Sequence, residues 1–96
     1  MRKKKRSQVT RQKKANLQRS NAAHARLERK ASNEWLNAYN KQDYKGMKKA
    51  WIKSRYHSDV MFQQDELKRK LTAQEKKSHY NIAVFWVEDE TRFWEK

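Results

Sequence analysis

Twelve basic side chains stand in the first 31 residues: Arg2, Lys3, Lys4, Lys5, Arg6, Arg11, Lys13, Lys14, Arg19, Arg26, Arg29 and Lys30. Glu28 alone opposes them, so this third of the chain carries +11 of a total formal charge of +14. Cations at this density neutralise phosphates and release condensed counterions, which yields affinity for nucleic acid with little sequence preference. Large apolar residues are almost absent here, only Val9, Leu17 and Leu27 beyond the initial Met1. A segment of this kind cannot bury a core alone. Residues 1–31 therefore read as a nucleic-acid-binding arm, partly disordered or conditionally helical, whose contacts are the twelve cations. The run Arg2-Lys3-Lys4-Lys5-Arg6 also has the composition of a nuclear-localisation signal or a ribosomal-protein tail.

The second group of chemically informative residues is aromatic. All eleven Phe, Trp and Tyr residues lie between Trp35 and Trp94. Four tryptophans in residues 32–96 exceed what packing a small core requires. Tryptophan dominates interface hot spots, so Trp35, Trp51, Trp86 and Trp94 are candidate partner-binding residues. The end of the chain, with Glu88, Asp89, Glu90 and Glu95 beside Phe93 and Trp94, is acidic and aromatic. Charge complementarity suggests that it docks on a basic protein or folds back on the basic arm.

Other chemistry is poorly provided for. With no cysteine there is no disulfide framework, thiol nucleophile or Cys-ligated zinc. One glycine rules out a phosphate-cradling Gly-rich loop. His57, Asp59 and His79 match no helical metal-ligand spacing. The carboxylates Asp65 and Glu66, like Glu88, Asp89 and Glu90, stand among lysines and read as solvated, salt-bridging faces rather than catalytic pairs. No enzymatic activity, cofactor, metal or small-molecule substrate is expected.

The stretch from Thr10-Arg11-Gln12-Lys13-Lys14-Ala15-Asn16-Leu17-Gln18-Arg19 to Arg29-Lys30 resembles the arginine-rich motif of lambdoid phage antiterminators, small proteins that grip an RNA hairpin with a basic helical arm. The resemblance covers about twenty residues. Lysines stand where that family prefers consecutive arginines, and only arginine pairs bidentately with phosphate or guanine. Asn37-Ala38-Tyr39-Asn40-Lys41-Gln42-Asp43-Tyr44 looks like the helix-turn-helix joint of a tetratricopeptide repeat. The usual glycine before Asp43 is missing and no second copy follows, whereas a solenoid needs about three. That resemblance implies a helical hairpin.

The elements that must position these residues are helical. Residues 1–8 read as an irregular tail. Arg11 to Ala31 lacks Gly and Pro and is rich in strong helix formers, although its alanine-rich face makes a poor core helix. Ser32 is a candidate cap for a helix carrying Trp35, Leu36 and Tyr39. Asp43 caps another running to about His57, with Tyr44, Met47, Trp51 and Ser54 on one stripe. Ser58 and Asp59 signal a further start, with a helix from about Val60 to Leu71. Thr72-Ala73-Gln74-Glu75 matches the capping box and opens a final helix from Ala73 to about Trp94, with His79, Ile82, Trp86 and Phe93 near one stripe. Tyr80 to Val87 would suit a strand by composition, but no partner strand exists. The expected fold is all-α: an αα-hairpin plus C-terminal helices in a small aromatic-rich body, residues 32–96, behind the basic arm. Trp35, Leu36, Tyr39, Tyr44, Met47, Trp51, Ile52, Val60, Phe62, Leu67, Leu71, Ile82, Val84, Phe85, Trp86, Val87 and Phe93 are its candidate core.

The expected function is non-enzymatic nucleic-acid binding by an accessory or regulatory protein. RNA is slightly favoured over DNA, since basic helical arms commonly order on RNA. The alternative is a small protein-binding regulator or inhibitor, encoded by a phage or mobile element, that docks through its aromatic body on a host enzyme of transcription, replication or translation. No apolar run is long enough to span a bilayer. The expected location is the cytoplasm, or the nucleoid or nucleus.

Overall fold

A computed structural model describes the backbone of residues 2–92 and 94, and the side chains of residues 11–92 and 94. It contains three α-helices, α1 Arg2–Asn40, α2 Tyr44–Leu67 and α3 Ala73–Thr91. No strand occurs among the described residues, and Tyr80–Val87 lies within α3. The all-α expectation holds.

Two expected boundaries do not occur. α1 runs without interruption through Ser32, whose hydroxyl donates to Glu28 Oε1 one turn back (2.9 Å) instead of capping a new helix. A serine caps only where the chain leaves the helix. Here Ala31 and Ala38 are both buried on the same helix, so packing carries it straight through. Similarly, Ser58 and Asp59 lie inside α2, which continues from Tyr44 to Leu67 and buries Val60 and Gln64 beyond them. At 1.5 Å per residue α1 is about 58 Å long, in a molecule of 66 × 22 × 17 Å. Its backbone is helical from Arg2.

The two turns follow the expected capping chemistry. Asp43 caps α2 by accepting from the Gly46 amide (3.0 Å). Before it, α1 closes with Gln42 in the left-handed region (φ 56°). The Asp43 N–H reaches Ala38 O (2.8 Å) and the Gln42 N–H reaches Tyr39 O (3.0 Å), the paired bonds of a Schellman motif. At α3 the capping box forms in full. The Glu75 N–H donates to Thr72 Oγ1 (3.1 Å) and the Thr72 N–H to Glu75 Oε1 (2.9 Å). The Arg69 guanidinium grips the same carboxylate with two bonds of 2.9 Å. These donors, Arg69 first, hold the Glu75 carboxyl down at about 2.

The lone glycine, Gly46, sits where the two helices approach. A Cβ there would lie 2.4 Å from Asp43 Oδ2 and 3.2 Å from Ala38 Cβ. Gly46→Ala gains about 1 kcal/mol of helix propensity but displaces the cap, worth about 1 kcal/mol. The expected result is non-additivity. Asp43→Ala costs about 1 kcal/mol in the natural chain and close to nothing in the Gly46→Ala background. Urea unfolding of the four proteins of this cycle measures it, and full additivity would refute the shared role.

α2 is the central element. α1 packs along one side of it and α3 along the other, and α1 and α3 do not pack on each other. Much of the buried apolar surface is small: Ala31 and Ala38 on α1, Ala50 on α2, Ala83 on α3, with Met47, Ile52, Val60, Leu71 and Val87 filling between. The alanine-rich face of α1, expected to be a poor core face, is what lets its backbone come close to α2. Conversely, several candidate core residues lie exposed: Leu36, Tyr39, Tyr44, Phe62, Leu67, Ile82, Phe85 and Trp86. The expected stripe on the last helix is also displaced, since α3 buries Ala83, Val87 and Thr91 instead. Phe93 lies outside the described residues. A row of helices with α2 in the middle has two open faces, so large side chains above and below it stay in contact with water.

Candidate nucleic-acid interface

A polar seam fixes the rotation of α1 on α2. At one end Gln64, fully buried, donates to Asn21 Oδ1 (2.8 Å) and Ser20 Oγ (3.2 Å) and accepts from the Leu71 amide (3.1 Å). One turn on along α1, and two along α2, His24 Nδ1 lies 2.8 Å from His57 Nδ1. Next, Glu28 Oε1 accepts from Ser32 (2.9 Å) and Ser54 (3.0 Å). Glu34 then pairs with Lys53 (3.3 Å). The side chains of α1 that face α2 are therefore short polar groups and alanines. No cation of α1 takes part in this seam, where none could be desolvated, and Lys13, Lys14 and Lys30 border clefts beside it.

Arg11, Lys13, Lys14, Arg19, Arg26, Arg29 and Lys30 are all exposed. None of these seven meets a carboxylate among the described residues, whereas α2, α3 and the segments flanking α3 pair Lys48 with Glu88, Lys53 with Glu34, Arg55 with Glu90, Arg69 with Glu75 and Arg92 with Asp89. The side chains of Arg2, Lys3, Lys4, Lys5 and Arg6 lie outside the described residues. Their backbone continues the same helix past the α2–α3 turn.

The turn itself supplies cations that sequence reasoning missed. A cleft of about 720 Å³ lies between α1 and the α2–α3 connection, lined by Lys13 and Lys14 on one side and Lys68, Arg69 and Lys70 on the other, with Asp65 the acidic member. The signal was present as the run Lys68-Arg69-Lys70. Only the antiparallel return of α2 along α1 brings it opposite Lys13 and Lys14. Lys68 occupies the left-handed C-cap position (φ 54°), and its amide is tied to Gln64 O.

Three of the four candidate partner-binding tryptophans come together elsewhere. Trp35, Trp51 and Trp94 line a second cleft of about 380 Å³ with Ser32 and Ser54. Trp51 stacks on Trp94 (5.7 Å, 24° between planes) and Trp35 on Tyr39 (5.4 Å, 14°). Trp86 is separate, on α3, with the Arg55 guanidinium 5.8 Å above its ring and Phe85 against its edge.

Several of the other titratable groups have structural partners. His57 pairs with His24, and no group of three metal-ligating side chains gathers among the described residues. Glu88 and Glu90 reach Lys48 and Arg55 of α2, so the described part of the acidic terminus is engaged with the body rather than with the cations of α1. No helix among the described residues is long and apolar enough to cross a membrane. Comparison with known protein families, characterised proteins and solved structures finds no match.

Proposed function

We propose that this chain binds nucleic acid without enzymatic action, through the outward basic face of α1 and the cleft that α1 forms with Lys68, Arg69 and Lys70. One observation carries this reading. Among the described residues, seven exposed cations of α1 lack carboxylate partners, as do Lys68 and Lys70 across the cleft, while Lys48, Lys53, Arg55, Arg69 and Arg92 have them. A run of unpaired cations along one helix is the arrangement that a phosphate backbone neutralises. RNA remains slightly favoured, on the general ground that basic helices often serve it.

The test is the salt dependence of binding. Replacing Lys13, Lys14, Lys68 and Lys70 together by Gln should weaken binding across sequences. The slope of log K against log salt should fall by up to about 3.6 on duplex DNA, or about 2.8 on a single strand. An unchanged slope would exclude the cleft from the interface. Removing residues 1–31 is a poorer test, because Ser20, Asn21, His24 and Glu28 form most of the α1–α2 seam.

A second reading rests on α3. Ile82, Phe85 and Trp86 are neighbours on its surface, and Phe85 is 66% exposed. Such a surface suits a protein partner of a regulator or inhibitor. If Phe85→Ser abolishes function while the four Gln substitutions leave it intact, the protein-binding reading replaces the first.

A further inference from the structure

We propose that the cleft of Trp35, Trp51 and Trp94 receives one unpaired nucleobase of a single strand whose phosphates lie on the basic face of α1. This inference rests on the nucleic-acid reading above and adds to it a base-stacking site.

The walls are preformed. Trp35 is held by its stack on Tyr39 and Trp51 by its stack on Trp94, so the indoles that line the cleft are ordered before a base enters. All three tryptophans are only partly buried, and although Trp51 packs against the Ile52, Ala83 and Val87 cluster, each leaves surface open to the cleft. The opening of about 380 Å³ falls within the roughly 300–1,000 Å³ typical of small-molecule sites.

The polar groups of the cleft select the kind of edge it accepts. The hydroxyl hydrogens of Ser32 and Ser54 are both committed to Glu28 Oε1. What these two oxygens offer a ligand is lone pairs. A base that turns an exocyclic amino group toward them, as adenine, guanine or cytosine can, satisfies them.

Charge decides between the two ligands that a tryptophan cleft suits. An organic cation would gain cation–π energy and the Glu28 carboxylate behind the two serines, but it would approach a chain of net charge +14. A nucleotide brings a phosphate that this field attracts. The site is also within reach of the basic cleft. Trp35 and Leu17 lie on the same helix, about 27 Å apart at 1.5 Å per residue.

The experiment compares two single strands of about 12 nucleotides, long enough to span that distance at about 3.4 Å each. One is oligo(A) and the other is an abasic strand of the same length, and both are bound to the full chain and read by anisotropy and indole emission. Oligo(A) should bind about 5- to 150-fold more tightly than the abasic strand, the equivalent of about 1–3 kcal/mol per stacked base. It should also quench the indole emission. Trp35→Ala should bring the ratio close to one without changing the salt slope, and Trp86→Ala should leave the ratio intact. Ser32→Ala, at an exposed helical position, should weaken oligo(A) severalfold and leave the abasic strand unchanged, which keeps the test available should Trp35→Ala lose helicity. Equal binding of the two strands without quenching would overturn the base site and leave the proposed function standing. Failure of both strands to bind at low salt would overturn both.

Discussion

Gln64→Leu should be among the most damaging single substitutions in the folded body, costing about 2–4 kcal/mol. Leucine matches the volume, so no cavity term enters. The loss is polar. Gln64 is fully buried on α2, yet it binds Ser20 and Asn21 of α1 and the Leu71 amide of the α2–α3 turn. Each buried donor or acceptor left without a partner costs about 1–3 kcal/mol, and this substitution orphans the Leu71 N–H and Asn21 Oδ1 together. A domain of this size has about 5–15 kcal/mol in total, and each kcal/mol moves Tm by about 4–8 °C. Thermal unfolding should therefore shift down by about 10–25 °C. Asn21→Ala, which leaves Ser20 to serve Gln64 Nε2, should cost only about 1 kcal/mol. A shift of less than about 4 °C for Gln64→Leu would mean that water satisfies these groups in the folded state. Because the same side chain ties Lys68–Leu71 to α1, the proposed nucleic-acid affinity should fall along with stability.

The second large effect is acid destabilisation. His24 is 8% exposed, and burial, with Lys76 and His57 nearby, lowers its pKa from 6.5 to about 4. Burial lowers His57 as well, although Glu28 opposes the shift. The geometry agrees: two Nδ1 atoms 2.8 Å apart need one donor and one acceptor, so both rings cannot be protonated there. Above pH 6.5 both folded and unfolded chains hold these rings neutral, and no penalty arises. As pH falls from 6.5 toward 4 the unfolded chain takes up protons that the folded one refuses, so stability is lost across that window. His24 should contribute about 2–3 kcal/mol of that loss. Urea unfolding at several pH values measures it. His24→Gln, whose amide can still donate to His57, should flatten the curve between pH 6.5 and 4. Glu75, lowered from 4.5 to about 2, adds a loss of its own only as pH falls below about 4.5, so the upper part of the window reports the histidines. A natural chain equally stable at pH 7 and pH 4.5 would refute the assignment.

The local signals in the sequence were legible where one short segment contains all the partners. Asp43 and the Thr72–Glu75 box cap their helices because donor and acceptor lie three residues apart. The core was less legible. Phe62 and Phe85 look like core residues by type but lie on open faces, while Ala31, Ala38, Ala50 and Ala83 are buried. Hydrophobicity ranks side chains by their gain on burial, but a close helix contact admits only small ones. Among candidate site residues, the exposed cations of α1 were readable from charge density. The basic cleft and the tryptophan cleft were not, because each joins residues far apart in the chain.

By itself, then, the sequence determined helix content, two of the caps and a strongly basic N-terminal third, since propensity, capping and net charge act over a few residues or none. The tertiary structure decided that α1 does not end at Ser32, and that His57 answers His24. It also set Lys68, Arg69 and Lys70 opposite Lys13 and Lys14, and closed three tryptophans on one cleft. These outcomes depend on how α1 is rotated and shifted along α2. That register is set by the buried bonds of Gln64, His24 and Glu28, which pair residues more than twenty positions apart and which no local pattern specifies.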